Sequence, residues 1–326
     1  MKKLKIRVED IDIKSPYLIH HADFFIELLK KYYSVEILKD KITEPDILFF
    51  SCWGGMDNVK WPNCIRIYYT AERDCPDFNM CDYAIGLVNI GETERFLHFP
   101  FYTFYNNLLP KYEALNEIKD FSPYLNRGFC STVVTDPYRD HIFFDFFEKL
   151  NKYKPIASGG KWNNNVGGPV PDKLDFIKKY KFHLAFENMK VDDYVTEKIM
   201  EPLVAQTIPI YWGSKTVKKE FGEGSYIDIS DFTSIEEAIE FIIKVDNDDE
   251  LYMKILNTRA QLPLSYKQWC EKVENFLLNI IENGSRIFNP RCNRVYAQKN
   301  IYHIIHESLL GKIYRMFQKL KYKLMY

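Results

Sequence analysis

The chain has 326 residues, which at about 100–200 residues per domain predicts two domains. Its 44 Lys+Arg against 45 Asp+Glu leave a formal charge of −1 and exclude a uniformly basic nucleic-acid binder. The 46% hydrophobic and 27% charged fractions exclude bulk disorder, and the 16% aromatic content suits both a large core and stacking on sugars.

The first ten residues are charged, with no apolar run behind them, and no stretch reaches the ~18–20 apolar residues of a membrane-spanning helix. The expected location is therefore the cytosol. Leu4–Val8 alternates with period two and predicts a strand. Phe24, Phe25, Leu28, Leu29 and Tyr32 share one face and predict a helix over Ala22–Tyr33. Further strands are predicted at Val35–Leu38, Ile47–Cys52, Ile65–Thr70 and Tyr83–Leu87, spaced as in a mainly parallel α/β sheet. Ligands of such sheets sit at the strand C-termini, here the loops Trp53-Gly54-Gly55 and Ala71-Glu72-Arg73-Asp74.

A polar, proline-containing stretch at Pro110–Pro123 marks the expected domain boundary, near residue 120. The pattern then restarts, with a strand at Gly128–Val134 and a helix at Phe143–Tyr153. Strands follow at Tyr180–Phe186 and Ile208–Trp212, with a helix between them from about Thr196. A strand at Ser225–Ile229 precedes helices at Ile235–Val245 and Tyr266–Ile281. Two α/β units in tandem (1–120 and 121–285) imply a cleft between them. The last segment, 286–326, holds nine Lys/Arg and one acid, Glu307, and so carries +8. Ile301, Ile305, Leu309, Ile313, Phe317, Leu320 and Leu324 recur every three or four residues there, as in a basic amphipathic helix. Such a helix docks on an anionic membrane, at about 1 kcal/mol per basic residue, or packs back on protein.

Seven cysteines with no CxxC pair argue for reduced, mostly buried thiols. His20-His21 and Asp192-Asp193 lack metal-site spacing, so no metal is expected.

The most informative segment is Tyr180–Ser214, YKFHLAFENMKVDDYVTEKIMEPLVAQTIPIYWGS. A strand delivers Glu187 and Asn188 to a loop that runs to Thr196, a plausible N-cap. The helix that follows offers free N–H groups and a positive dipole end to phosphate, with Lys198 as a point charge beside them. Glu197 can accept hydrogen bonds from sugar hydroxyls. Pro202, more than a turn inside, implies a kink or a late start. Spacing alone leaves a second reading open, a buried Glu–Lys pair with a structural loop.

This segment resembles the signature of the α1,3/4-fucosyltransferases, glycosyltransferase family 10, through Tyr180–Asn188, Tyr194–Lys198 and Ile208–Gly213. Tyr68–Glu72 with Pro76–Asn79 and Asp82–Gly86, Arg127–Phe129, and Ser158–Lys161 with Asn164–Gly167 resemble further family motifs in order. The resemblance spans about Ile65 to Ile281. It implies a GT-B fold, two Rossmann-like α/β domains facing a cleft, with the acceptor on 1–120 and GDP-fucose on 121–285. It implies inverting transfer of L-fucose from GDP-β-L-fucose to a GlcNAc-containing oligosaccharide or glycolipid, such as N-acetyllactosamine on a bacterial lipopolysaccharide, giving a Lewis-type product. No obligatory cofactor or nucleic-acid partner is implied, and the enzyme would be cytoplasmic or peripheral on the inner membrane.

By position, Glu72 matches the general base, a role suited to a buried carboxylate whose pKa desolvation raises. Lys198 would neutralise the departing diphosphate and Glu197 would hold ribose or fucose hydroxyls, with Glu187, Asn188 and Tyr194 lining the same loop. The family places a diphosphate arginine near 143, where this chain has Phe143. Arg139, one turn earlier on the same helix face, is the expected substitute. Ala71 stands where the family has a glycine, and Lys161 is a further phosphate candidate. Trp53, Tyr102, Tyr105 and Trp162 could stack on acceptor sugars or pack in the core. The rival readings are a transferase of another nucleotide sugar and a catalytically dead glycan- or membrane-binding module.

Overall fold

Continuous apolar runs separated by helical segments build two parallel-stranded α/β units, as the computed structural model of the chain shows. It describes residues 1–9, 16–52, 61, 63–72, 74–136 and 138–287, with isolated positions 308, 313 and 316; for 16–21 it describes the backbone alone. Unit 1 comprises Met1–Gly86, Ile90–Leu97 and the chain from Val273; unit 2 comprises Leu87–Asn89 and His98–Lys272.

Unit 1 is a six-stranded sheet in the order β2-β1-β3-β4-β5-β6. Its strands are β1 (Lys3–Val8), β2 (Ser34–Ile37), β3 (Ile47–Phe50), β4 (Ile65–Thr70), β5 (Tyr83–Gly86) and β6 (Phe96–His98). The pairs β1–β2, β1–β3, β3–β4 and β4–β5 are parallel. All four residues of β3 are buried, as expected for a central parallel strand covered on both faces. On one face Phe25 stacks on Phe49 and meets Tyr69 edge-on. On the other Leu48, Phe50, Trp61, Tyr68 and Phe96 form a second core. Helix α1 spans Pro16–Lys30, six residues earlier than the apolar spacing predicts, and proline fits its first position, where the N–H has no helical partner. The side chains of His20 and His21, and Trp53, lie outside the described residues.

Unit 2 is a five-stranded sheet, all of its pairs parallel, in the order β11-β10-β9-β7-β8. The strands are β7 (Gly128–Thr132), β8 (Ile156–Ser158), β9 (Tyr180–Phe186), β10 (Ile208–Trp212) and β11 (Ile227–Asp228). Two short helices, α2 (Leu108–Glu113) and α3 (Ser122–Leu125), precede β7, and helix α4 (His141–Tyr153) buries Phe143, Phe146, Phe147 and Leu150, one helical stripe against the sheet. Trp162 packs on Phe143, Phe144 and Phe147, so it serves this core and not a sugar face. Among the remaining helices, α5 (Lys173–Ile177), α6 (Glu197–Val204) and α7 (Val217–Phe221) follow β8, β9 and β10 in turn.

The strand order of β1 to β5 recurs in β7 to β11, and these are the two Rossmann-like α/β domains of the GT-B expectation. In each, the first strand lies between the second and the third, so the loops leaving the first and third strands diverge and open a ligand crevice at their C-terminal ends. The change of unit falls at His98, not near residue 120. The reason is aromatic: Tyr102 is buried and donates to Glu220, while the Tyr112 hydroxyl accepts from the backbone N–H of Ala260, both within unit 2. Helix Tyr266–Asn283 begins in unit 2 and belongs to unit 1 from Val273 onward. The amphipathic helix expected over 286–326 lies almost wholly outside the described residues. No described helix is long and apolar enough to cross a membrane.

Candidate active site

In unit 2 the diverging loops leave β7 and β9, and both carry charge. The β7 loop brings Arg139. Its Nη1 donates to the Phe186 carbonyl at 2.9 Å and its guanidinium lies 5.2 Å over the Phe143 ring. Arg139 is not on the helix, as its spacing suggested: Asp140 caps α4 by accepting from Ile142 N–H, so the helix starts at His141. The arginine therefore reaches the space above position 143 from outside the helix. Burial pulls its pKa down, and Glu187, Glu197, Asp136 and Tyr194 oppose that.

The β9 loop begins with Glu187, whose carboxylate is shut from water, 0% exposed. Its Oε1 accepts from Thr196 N–H at 2.8 Å and from the Thr196 hydroxyl at 2.9 Å. Its Oε2 lies 2.8 Å from the same hydroxyl and 3.1 Å from Lys198 Nζ. Thr196 holds the N-cap position of α6 without making the expected side-chain cap, because Glu187 has captured its hydroxyl. Lys198 Nζ reaches Thr196 Oγ1 at 2.8 Å and Glu197 Oε1 at 3.3 Å, so its three protons meet three acceptors. Burial pulls the Lys198 pKa down; Glu187, then Glu197 and Tyr194, more than reverse this and leave it raised. For Glu197 burial pushes up, while Lys198, Lys173 and a backbone N–H outweigh it, so its carboxyl is lowered and charged. Deeper in the helix Glu201 pairs with Lys173 of α5, and burial leaves its carboxyl raised. Lys173 and Glu201 escaped the sequence reading. The i,i+4 spacing of Glu197 and Glu201 was visible, but the lysine 28 residues before Glu201 was not.

Helix α6 starts at Glu197 despite Pro202 inside it. The N–H that Pro202 lacks would have bonded to the carbonyl of Lys198. Tyr194 is buried beside this network, at 6% exposure. Asn188 is half-buried, and its carbonyl accepts from Asp140 N–H, tying the two loops together. Lys161 is exposed on the loop after β8, at the same edge of the sheet. Two glycines hold this edge close. A Cβ at Gly160 would sit 2.0 Å from the Val134 carbonyl oxygen, and one at Gly213 would sit 2.6 Å from Glu187 Cγ. Asp193, at φ +60°, donates its N–H to Ser214 and Thr216 and fixes the loop. Among the described residues no cluster of three or more His, Cys, Asp or Glu side chains is placed to hold a metal.

In unit 1, Glu72 lies two residues past the end of β4, where its N–H donates to Thr70 Oγ1 at 3.0 Å. Its side chain is exposed, so the burial expected for it is absent; a residue just beyond a strand end faces outward from the sheet edge. Cys52 Sγ lies 3.3 Å from the same Thr70 hydroxyl, and Tyr68 donates to Asp74 at 2.8 Å. Tyr102 is a core residue, and Tyr105 packs on Phe101 with ring centres 4.6 Å apart.

Two Rossmann-like domains, one with Arg139 and Lys198 on the loops that diverge at its strand switch point, belong to the α/β class whose ligands sit at the strand C-terminal ends. Residues 129–307 match glycosyltransferase family 10 (fucosyltransferase), C-terminal part, and residues 12–105 match the α-(1,3)-fucosyltransferase FucT N-terminal domain. The chain belongs to glycosyltransferase family 10. It is 32% identical over 297 residues to the α-(1,3)-fucosyltransferase FucT of Helicobacter pylori, covering 79% of this chain and 62% of that protein. It is 33% identical over 180 residues to α-(1,3)-fucosyltransferase B of Drosophila melanogaster, covering 48% of this chain and 40% of that one. The chain thus spans less than two thirds of the length of either relative. A crystal structure of an α1,3-fucosyltransferase with GDP-fucose matches with a TM-score of 0.74 and 27% identity, over 89% of this chain and 94% of that one. A second α1,3-fucosyltransferase structure matches with a TM-score of 0.76 and 28% identity, over 88% and 92%.

Proposed function

We propose that this chain is an inverting α1,3-fucosyltransferase that moves L-fucose from GDP-β-L-fucose to a GlcNAc-containing glycan such as N-acetyllactosamine. The observation that carries the reading is the Arg139–Lys198 pair of cations at the switch point of unit 2, together with family membership. Unit 2 would bind the donor, with Lys198 and Arg139 on the diphosphate, Lys161 approaching from the β8 loop, Glu197 on ribose or fucose hydroxyls, and Asn188 and Tyr194 shaping the pocket. Unit 1 would present the acceptor to Glu72.

In the reaction, Glu72 takes the proton of the acceptor hydroxyl as that oxygen bonds to the fucose anomeric carbon. The bond from that carbon to the diphosphate oxygen breaks, and its electron pair leaves with GDP. Negative charge grows on the diphosphate as the sugar becomes cation-like, so fixed cations act most strongly at the transition state. An exposed Glu72 fits a base that acceptor binding desolvates. The basic stretch from Arg286, with its +8 charge, supports an anionic membrane surface as a second partner, and a glycolipid or lipopolysaccharide acceptor would lie on the same surface.

Incubation with GDP-fucose and N-acetyllactosamine tests this: GDP is released and an α-fucoside forms. Turnover with a different nucleotide sugar alone, or none with a panel of acceptors, overturns it.

A further inference from the structure

We propose that Glu187 is a positioning residue for the Lys198 ammonium and does not itself touch the donor. The inference rests on the diphosphate role proposed for Lys198. Three observations carry it. The Glu187 side chain is 0% exposed, and both oxygens are engaged by Thr196 or Lys198 at 2.8–3.1 Å. Gly213 closes the carboxylate in, since a Cβ there would fall 2.6 Å from Glu187 Cγ. Finally, Thr196 Oγ1 lies within 2.9 Å of both Glu187 oxygens and of Lys198 Nζ, so one hydroxyl joins acid and ammonium.

This gives the ammonium two fixed neighbours, Glu187 and Thr196, and one less buried neighbour, Glu197. A lysine otherwise hangs on a flexible four-carbon stem, and a buried ammonium loses its proton readily. Glu187 removes both liabilities: it fixes the direction of the stem and keeps the charge on. The charged and titratable groups facing Lys198 are Glu187, Glu197, Tyr194 and Arg139, with Lys173 and Glu201 next in line. A diphosphate can then replace Glu197 at the ammonium without disturbing Glu187.

The test uses Glu187→Gln, which keeps the shape and removes the charge, and Gly213→Ala, whose Cβ would press on the Glu187 side chain and on the Tyr211 hydroxyl, each 2.6 Å away. Nitrogen-15 NMR of lysine-labelled protein, with Lys198→Arg to assign the signal, follows the Lys198 titration. The expected result is loss of the proton at lower pH in both variants than in the wild type. Affinities for GDP, GDP-fucose and inorganic pyrophosphate fall together, by about tenfold or more. If Glu187→Gln does not fold, Gly213→Ala decides alone. An unchanged Lys198 titration, or weakening confined to GDP-fucose, overturns the proposal. A wild type that binds none of the three phosphates overturns the donor reading instead, and the titration still decides the role of Glu187.

Discussion

The Tyr102 phenol donates a hydrogen bond to the buried Glu220 carboxyl, 2.9 Å away and 118 residues further along the chain. Burial, opposed by this bond and reinforced by Asp193 and Glu187, pushes the Glu220 carboxyl up to about 8. Between the ordinary glutamate range and about 8 the unfolded chain is ionised while the folded chain keeps its proton, so folding binds the extra proton. That stability contribution is complete below about pH 4 and disappears as pH rises to about 8. At about 1.4 kcal/mol per unit it amounts to a few kcal/mol at most. Denaturant titrations from pH 5 to 8 are expected to show a fall in stability that Glu220→Gln flattens.

Removing Lys198 leaves Glu187 buried without its cation. Lys198→Ala is expected to cost about 3–5 kcal/mol of stability and to weaken GDP binding at least tenfold. Adding Glu187→Gln removes the stranded charge, so the double variant should recover part of the stability but none of the affinity. A double-mutant cycle by thermal unfolding checks this; strictly additive losses would count against a coupled pair.

Glu72 lies in unit 1, outside the ion-pair network of unit 2. Glu72→Ala is expected to abolish transfer while GDP affinity stays within about threefold, measured by calorimetry. Loss of GDP binding in this variant would contradict its role as base.

Arg139 donates a hydrogen bond to the Phe186 carbonyl and lies over the Phe143 ring. Arg139→Ala should cost about 1–2 kcal/mol of stability and weaken GDP by about one to two orders of magnitude. Arg139→Lys should recover little, since a point charge cannot replace a planar fork over an aromatic ring. Affinities for GDP measured beside those for guanosine separate a diphosphate contact from a general loss of shape.

Much of the fold is written in short apolar runs. β3, β4, β9 and β10 are buried along nearly their whole length, and their unbroken hydrophobic stretches say so directly. The start of α1 escaped because the repeat of Phe24, Phe25, Leu28 and Leu29 begins about two turns after Pro16. In the site, the local pattern located Glu187, Thr196 and Lys198 together, but their division of labour was hidden. A threonine before a helix reads as a cap, and only the fold brings in the carboxylate that takes its hydroxyl. Arg139 stands one turn before position 143, a spacing that predicts a place on the helix face, but Asp140, a strong N-cap residue, starts the helix just after it. Of the two open readings of the 180–214 segment, the buried Glu–Lys contact is present, at the C-terminal end of β9.

Helix Tyr266–Asn283 leaves unit 2 and completes unit 1, where Val273, Leu277 and Ile280 are buried and Phe276 meets Tyr83 edge-on. Neither half of this protein is therefore a continuous stretch of polypeptide. A fragment ending near residue 97 would leave apolar sheet surface wet, and synthesis must run past residue 273 before the first-made strands acquire their cover. Any scheme to express, swap or shuffle the halves has to carry residues beyond 273 along with the beginning of the chain.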